Sequence, residues 1–206
     1  MKISYAITVC NELKEIQKLI NFLLKIKRKK DEILILFDSN NGTKKVEEFL
    51  RAKSINGEFN WFSYAFDGHF ANMKNKLTSR CSGDYIFQID ADEIPNKSLI
   101  NHLPEVLELN DVDVLRVPRI NTVKGLTQEH INRWGWVIDD LGKVNWPDPQ
   151  WRIYKNTPKI RWKNKVHEIL EGHTTKADLP YLEEWALYHP KTIKRQEKQN
   201  NYYTTL

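Results

Sequence analysis

The stretch GDYIFQIDADE, residues 83–93, sets three carboxylates, Asp90, Asp92 and Glu93, directly behind an apolar run. In extended backbone successive side chains alternate, so Asp90 and Asp92 share one face while the small Ala91 turns to the core. Two carboxylates on one face repel each other unless a cation compensates them. Hard oxygen ligands suit Mg²⁺ or Mn²⁺, ions that keep positions open for substrate phosphates. The spacing therefore points to a divalent metal completed by a diphosphate. Solvated acids capping the following helix are the competing reading for Asp92 and Glu93. No G-x-G-x-x-G follows the first apolar run and no G-x-x-x-x-G-K-[ST] occurs anywhere, which leaves the phosphates to metal and cations rather than to a Gly-rich loop. A second Asp-x-Asp, Asp111 and Asp113 in NDVDVL, precedes an apolar run instead of following one, and so belongs at the opposite sheet edge in a structural role.

The elements that must position these acids are legible from periodicity. ISYAITV (3–9) is β-branched and aromatic, as strands are. Behind it Leu13, Ile16, Ile20, Leu23 and Leu24 recur at helical spacing, with Asn11 as the expected cap. EILILF (32–37) reads as a strand covered on both faces, DSNNGT as a turn, KKVEEFLRAK as a helix and FNWFSYAF (59–66) as a third strand. HFANMKNKLTSRCS reads as a helix closed by Gly83 in a left-handed cap, and DYIFQID as the fourth strand. This alternation predicts an α/β fold with a mostly parallel central sheet and helices on both faces. In such sheets ligands bind at the carboxyl ends of the strands. Three runs end there in polar residues: Thr8, Asn11 and Glu12; Asp38 to Asn41; and Asp90 to Glu93.

The second half changes character. A helix near 97–109 and a strand VDVLRVPRI precede residues 121–151, which hold Gly, Pro, Asp and Trp without a sustained period and read as a long functional loop. QWRIYKN and IRWKNKVHEIL read as a hairpin pair, followed by LEEWALYH and a polar helical tail.

At 206 residues, 40% apolar and 29% charged, the chain suits one globular domain. Its net charge of +5 gathers in KIKRKK (25–30) and KTIKRQEK (191–198), either as a solvated helix end and tail or as a surface for an anionic partner such as a nucleotide, acidic glycan or lipid surface. No nucleic-acid motif accompanies it, so no nucleic-acid partner is expected. No apolar run approaches the roughly 18 residues of a membrane span, and the first residues meet an acid before a signal-peptide core could form, so a cytoplasmic protein is expected. Cys10 and Cys81 lack metal-ligand spacing and read as buried reduced thiols.

In order, AITVCNE, LFDSNNGT, GHFANMKNK and GDYIFQIDADE resemble the nucleotide-sugar half of glycosyltransferase family 2 enzymes with the GT-A fold. NWPDPQWRIYKN and IRWKNKVHEIL are similar to the subgroup related to lipopolysaccharide core β-glycosyltransferases, and together the motifs span roughly residues 3–170. The resemblance implies one GT-A-type, Rossmann-like domain over 1–206, with a nucleotide-sugar half to about 95, a smaller mixed or antiparallel acceptor-side region to about 190, and a polar tail. It places Thr8, Cys10 and Glu12 along the nucleoside, Asp38 at the base or ribose, and Asn72, Asn75 and Lys76 along the nucleotide. Asp90, with Ala91 beside it, addresses the ribose or a metal-bound water. Asp92 binds the metal, His167 is a further ligand that favours Mn²⁺ over Mg²⁺, and Arg152, with Lys76 as a second choice, neutralises the leaving diphosphate.

The implied activity is that of a metal-dependent, hexosyltransferase-like enzyme. It moves a sugar from a nucleotide-sugar, most often a UDP-sugar, to a hydroxyl of a glycan or other acceptor with inversion. Negative charge builds on the departing diphosphate, and a carboxylate on the far side must take the acceptor's proton. Asp148 in WPDPQ and Glu168 in VHE are the candidates, Asp148 first, with Asp139 and Asp140 behind them. The processive synthases' Q-x-x-R-W motif and membrane helices are missing, which argues against polymerisation. Two alternatives stay open. One is a catalytically silent nucleotide-binding or sugar-binding module; the other is a nucleotidyltransferase, whose Gly-rich cationic loop is replaced here by TVCNELKE. Trp134, Trp136, Trp146 and Trp151 either pack a small second layer or stack on acceptor sugars. His189 in LYHP reads as an ordinary structural histidine, and peripheral membrane contact is possible.

Overall fold

The computed structural model describes residues 1–203. The chain opens β1 (Ile3–Val9), α1 (Leu13–Ile26), β2 (Glu32–Asp38), α2 (Lys44–Ser54), β3 (Asn60–Tyr64), α3 (Phe70–Thr78) and β4 (Tyr85–Asp90). There follow β5 (Ile94–Pro95), α4 (Lys97–Leu109), β6 (Val114–Val117), β7 (Arg119–Lys124) and α5 (Gln128–Trp134). Last come β8 (Gln150–Lys155), β9 (Arg161–Lys163), β10 (Ile169–Glu171), β11 (Lys176–Asp178), β12 (Leu187–Thr192) and α6 (Ile193–Tyr203).

The main sheet has seven strands in the order β11-β6-β8-β4-β1-β2-β3. β1, almost wholly buried, lies between β2 and β4 and is parallel to both. β8 runs antiparallel between β4 and β6, which makes β6 parallel to β4. Alternation along β1 sorts the core into two layers. Ile3, Tyr5, Ile7 and Val9 pack with the apolar faces of α1, α2 and α4, whereas Ala6 turns to the side of α3, Trp162 and Leu170. This is the α/β arrangement read from the sequence: a mostly parallel sheet, helices on both faces, and two smaller sheets, β5-β12-β7 and β9-β10. Asp111 and Asp113 sit at the start of β6, the edge opposite Asp90, where both pair with Lys155. Among the described residues no helix is long and apolar enough to cross a membrane.

Several local expectations change. Pro118, with no N–H to give a ladder, divides VDVLRVPRI into β6 and β7, which join different sheets. QWRIYKN pairs with β4 and β6, and the real hairpin is β9 with β10. The loop 121–151 contains α5, closed at its start by a reciprocal capping box of Thr127 and His130. The N-cap position of α1 is held by Glu12 rather than Asn11. Gly83 lies beyond the end of α3, which closes at Ser79 in a right-handed conformation. Its requirement is space: a Cβ there would stand 2.6 Å from the Ser4 backbone nitrogen. Both cysteines are free and half-buried, and burial pushes each thiol up to about 12.

Candidate active site

β1, β2 and β4 end at one edge, and their loops line a cleft of about 910 Å³. Thr8, Cys10, Glu12 and Asp38 form its first wall. Asp38 also builds its own turn, since Oδ1 accepts from the Asn40 and Asn41 backbone N–H groups at 2.9 and 3.2 Å. Glu12 accepts through Oε2 from the N–H groups of Cys10 and Asn11, at 2.8 and 3.0 Å, so the loop after β1 is held by its own side chain.

The three acids of the DADE run part company at the end of β4. Asp90 Oδ1 accepts from Thr8 Oγ1 at 3.1 Å and Oδ2 from Arg152 Nη2 at 2.8 Å. Glu93 is fully buried and accepts from Arg152 at 2.7 and 3.1 Å and from Arg119 at 3.1 Å. Burial alone would raise the Asp90 carboxyl, but the charges of Arg152 and Lys74 outweigh it and hold the group at about 2. Arg152 is thus a buried counter-ion to two carboxylates. Arg152 nonetheless lines the cleft, and its Nη1 makes one bond, to the Trp151 oxygen at 3.3 Å.

Asp92 has different company. Its Oδ2 lies 3.2 Å from His189 Nε2 and 3.3 Å from Arg195 Nη2. Burial would raise this carboxyl too, yet His189, Lys191 and Arg195 hold it far below the usual carboxylate range. The other His189 nitrogen, Nδ1, is 2.8 Å from Asn121 Oδ1, and Asn121 Nδ2 donates to Asp148 Oδ2 at 2.7 Å. That chain assigns the tautomer. Asn121 must give its NH₂ to the Asp148 carboxylate, so its carbonyl oxygen faces His189 and Nδ1 carries a proton. With Nδ1 protonated, Nε2 faces the Asp92 carboxylate either as an N–H donor, when the ring is cationic, or as a lone pair that a metal ion beside Asp92 would use, when it is neutral.

Asp148 is held on both oxygens. Oδ2 accepts from Arg119 at 2.8 and 2.9 Å as well as from Asn121, and Oδ1 accepts from Gln150 at 2.7 Å. Glu168 also lines the cleft, with Lys74 Nζ at 3.4 Å. His167 lines it from the loop between β9 and β10, but the imidazole beside Asp92 is that of His189.

α3 turns a different face inward from the one the resemblance implies. Phe70, Met73 and Lys74 reach the cleft. Asn72 is exposed and donates to Asp67, and Lys76 is exposed on the outer side. Asn75 is spent on the Trp162 backbone, donating to its oxygen and accepting from its nitrogen, each at 2.9 Å. Asp139 and Asp140 are exposed and outside the cleft lining, Asp139 accepting from the backbone of its own loop. Trp136 and Trp151 line the cleft; Trp134 packs on Trp136, and Trp146 lies under Lys143.

Sequence reasoning missed Arg119, Asn121, His189, Lys191 and Arg195. The last two had a signal, the basic run 191–198, and it leads into the cleft rather than away from it. Burial holds the Lys191 amine below its usual range. Among the described residues no group of three or more His, Cys, Asp and Glu side chains is arranged to hold a metal ion. Asp92 with His189 nonetheless fits a divalent cation of the kind that takes few protein ligands and completes its shell with phosphate oxygens and water.

The family model described as "Glycosyl transferase family 2" matches residues 4–175. No protein of curated function matches the sequence significantly. Among solved structures, residues 1–349 of S. aureus TarS align with a TM-score of 0.63 at 16% identity, covering 92% of this chain and 60% of that one. The same segment in complex with UDP aligns at 0.64 and 17%, with 92% and 60% covered. Its complex with UDP-GlcNAc aligns at 0.63 and 16%, with 93% and 59% covered. At such identity the likeness is one of fold, and this chain spans about 60% of that segment's length.

Proposed function

The chain belongs to glycosyl transferase family 2, and from that premise we propose that it transfers a sugar from a nucleotide-sugar to an acceptor hydroxyl. The observation that carries the reading is the Asp92–His189 pair, a carboxylate and an imidazole 3.2 Å apart at the carboxyl edge of the sheet. The complexes of TarS with UDP and UDP-GlcNAc favour a UDP-sugar as donor. The narrower likeness of NWPDPQWRIYKN and IRWKNKVHEIL to lipopolysaccharide core enzymes favours a glycan acceptor.

In this reading the first 95 or so residues bind the donor and those to about 190 bind the acceptor. Thr8, Cys10, Glu12 and Asp38 take the nucleoside. Asp92 and His189 hold Mn²⁺ or Mg²⁺, the imidazole favouring Mn²⁺; Asn121 fixes the His189 ring, as outer partners of metal-bound histidines do. When bound, the metal supplies Lewis-acid stabilisation of the leaving diphosphate. Asp148 takes the acceptor's proton. Its Oδ2 is filled by Arg119 and Asn121, whereas Oδ1 has one donor, Gln150, and keeps room for a hydroxyl. The acceptor oxygen bonds to the anomeric carbon as the bond to the diphosphate breaks, and approach from the far face inverts the configuration.

The test is thermal stability with UDP, GDP or CMP, each with and without Mn²⁺, for the unmutated protein, Asp92→Asn and His189→Gln. A ligand at a hundredfold excess over its dissociation constant stabilises the fold by about 2.7 kcal/mol. One nucleotide is expected to stabilise the unmutated protein only with Mn²⁺, and neither variant to respond. Absence of any nucleotide-dependent shift at saturation would sink the reading.

A further inference from the structure

Arg195, in the first turn of α6, faces three carboxylates. Its Nη1 lies 3.1 Å from Glu15 Oε1, and its Nη2 lies 3.2 Å from Glu12 Oε1 and 3.3 Å from Asp92 Oδ2. These contacts are not equivalent. Glu12 and Glu15 sit at the start of α1, and Glu12 is anchored by the Cys10 and Asn11 backbone, so they form a fixed pivot. The contact to Asp92 is the longest, and it uses the oxygen that also faces His189 Nε2. Arg195 therefore stands where a divalent ion held by Asp92 and His189 would draw its charge. Two cations on one carboxylate oxygen repel each other, so guanidinium and metal compete.

The guanidinium can leave Asp92 without leaving the cleft. It is about one-third exposed, with 30% of the side chain open, and its pivot persists. A planar guanidinium matches phosphate oxygens through paired donors, which a carboxylate already neutralised by a metal no longer requires. Lys191 and Lys198 also line the cleft, so the basic run contributes three cations to it.

We propose that Arg195 is a transferable cation: it neutralises Asp92 before the donor binds and moves onto the diphosphate when it does, so nucleotide and metal are taken up cooperatively. The proposal rests on the donor and metal reading above and adds a residue that couples the two. Coupling is reciprocal: whatever factor the nucleotide gains from metal, the metal gains from nucleotide.

The experiment is calorimetric titration of Mn²⁺ into the protein alone and into its UDP-saturated form, comparing the unmutated protein with Arg195→Gln. In the unmutated protein UDP is expected to tighten Mn²⁺ binding about tenfold or more. In Arg195→Gln, Mn²⁺ alone is expected to bind about tenfold tighter than in the unmutated protein, and the gain from UDP is expected to shrink about tenfold, to the part that comes from direct ligation of the metal by phosphate oxygens. Arg195→Lys keeps the charge but cannot span Glu15 and Asp92 at once; it is expected to shift Mn²⁺ binding the same way and serves if the glutamine variant does not fold. Mn²⁺ and UDP binding to all forms with unchanged coupling would overturn the transfer while leaving the proposed function standing. No binding of UDP with Mn²⁺ to any form would remove both.

Discussion

Asp148 and Glu168 both face the cleft, and what distinguishes them is the company each keeps. Asp148 is orientated by Arg119, Asn121 and Gln150, while Glu168 has Lys74 at 3.4 Å. A carboxylate fixed on one oxygen and open on the other is suited to take a proton from a positioned hydroxyl. Asp148→Asn is therefore expected to lower kcat by about 10²- to 10⁴-fold while leaving UDP affinity with Mn²⁺ within about twofold. Glu168→Gln is expected to cost much less. Steady-state kinetics with calorimetry decides between them, and the reverse ranking would move the base to Glu168. At this scale the strand period was readable only as far as Asp90: Ala91 and Asp92 form a turn closed by the Glu93 N–H donating to the Asp90 backbone oxygen at 2.9 Å, so the extended alternation expected over 90–92 does not hold. The partner of each acid was not readable, because Arg152, His189 and Arg195 come from 59 or more residues away.

The elements determine which face of each helix meets the cleft. α3 is clamped to β9 by the paired bonds between Asn75 and the Trp162 backbone, and this clamp turns Met73 and Lys74 inward. Asn75→Ala leaves two half-buried backbone groups without partners, a loss of about 1–3 kcal/mol. Urea unfolding should show that loss, with UDP affinity unchanged within about twofold. A tenfold fall in affinity instead would return Asn75 to the nucleotide, where the resemblance implied it. The helical period of α3 was legible in the sequence, but the inward face was ambiguous: polar residues occur on both sides and β9 lies more than 80 positions on. β12 is the sharper case. It lies between β5 and β7, and this pairing carries His189 to Asp92.

Across the whole molecule, carboxylates held by hydrogen bonds and ion pairs tie stability to pH. Burial alone would raise Glu32, but hydrogen bonds from Ser4, Ser82 and Lys2 lower it from an ordinary 4.5 to about 2. Asp90 falls from 3.8 to about 2 in the same way, through Arg152. A group lowered in the folded state binds more protons when unfolded, so its stabilising contribution is complete above the ordinary value and is lost as pH falls through the folded one. The urea midpoint is therefore expected to hold near pH 6 and drop between about pH 4.5 and 2. Glu32→Gln should be less stable at neutral pH and lose less across that window. An unchanged slope in the variant would show that Glu32 carries little of the acid response.

By itself the sequence determined what local physics can express. The β-α alternation, the mostly parallel sheet and the gathering of Thr8, Glu12, Asp38, Asp90 and Asp92 at one edge all follow from residue types, periodicity and strand direction. Tertiary structure decided how the charges are shared. Arg152 became a counter-ion to Asp90 and Glu93, His189 met Asp92, and the basic tail came to line the cleft. The reason is physical: a period records which way a side chain faces within its own element, whereas an ion pair depends on where two distant elements dock.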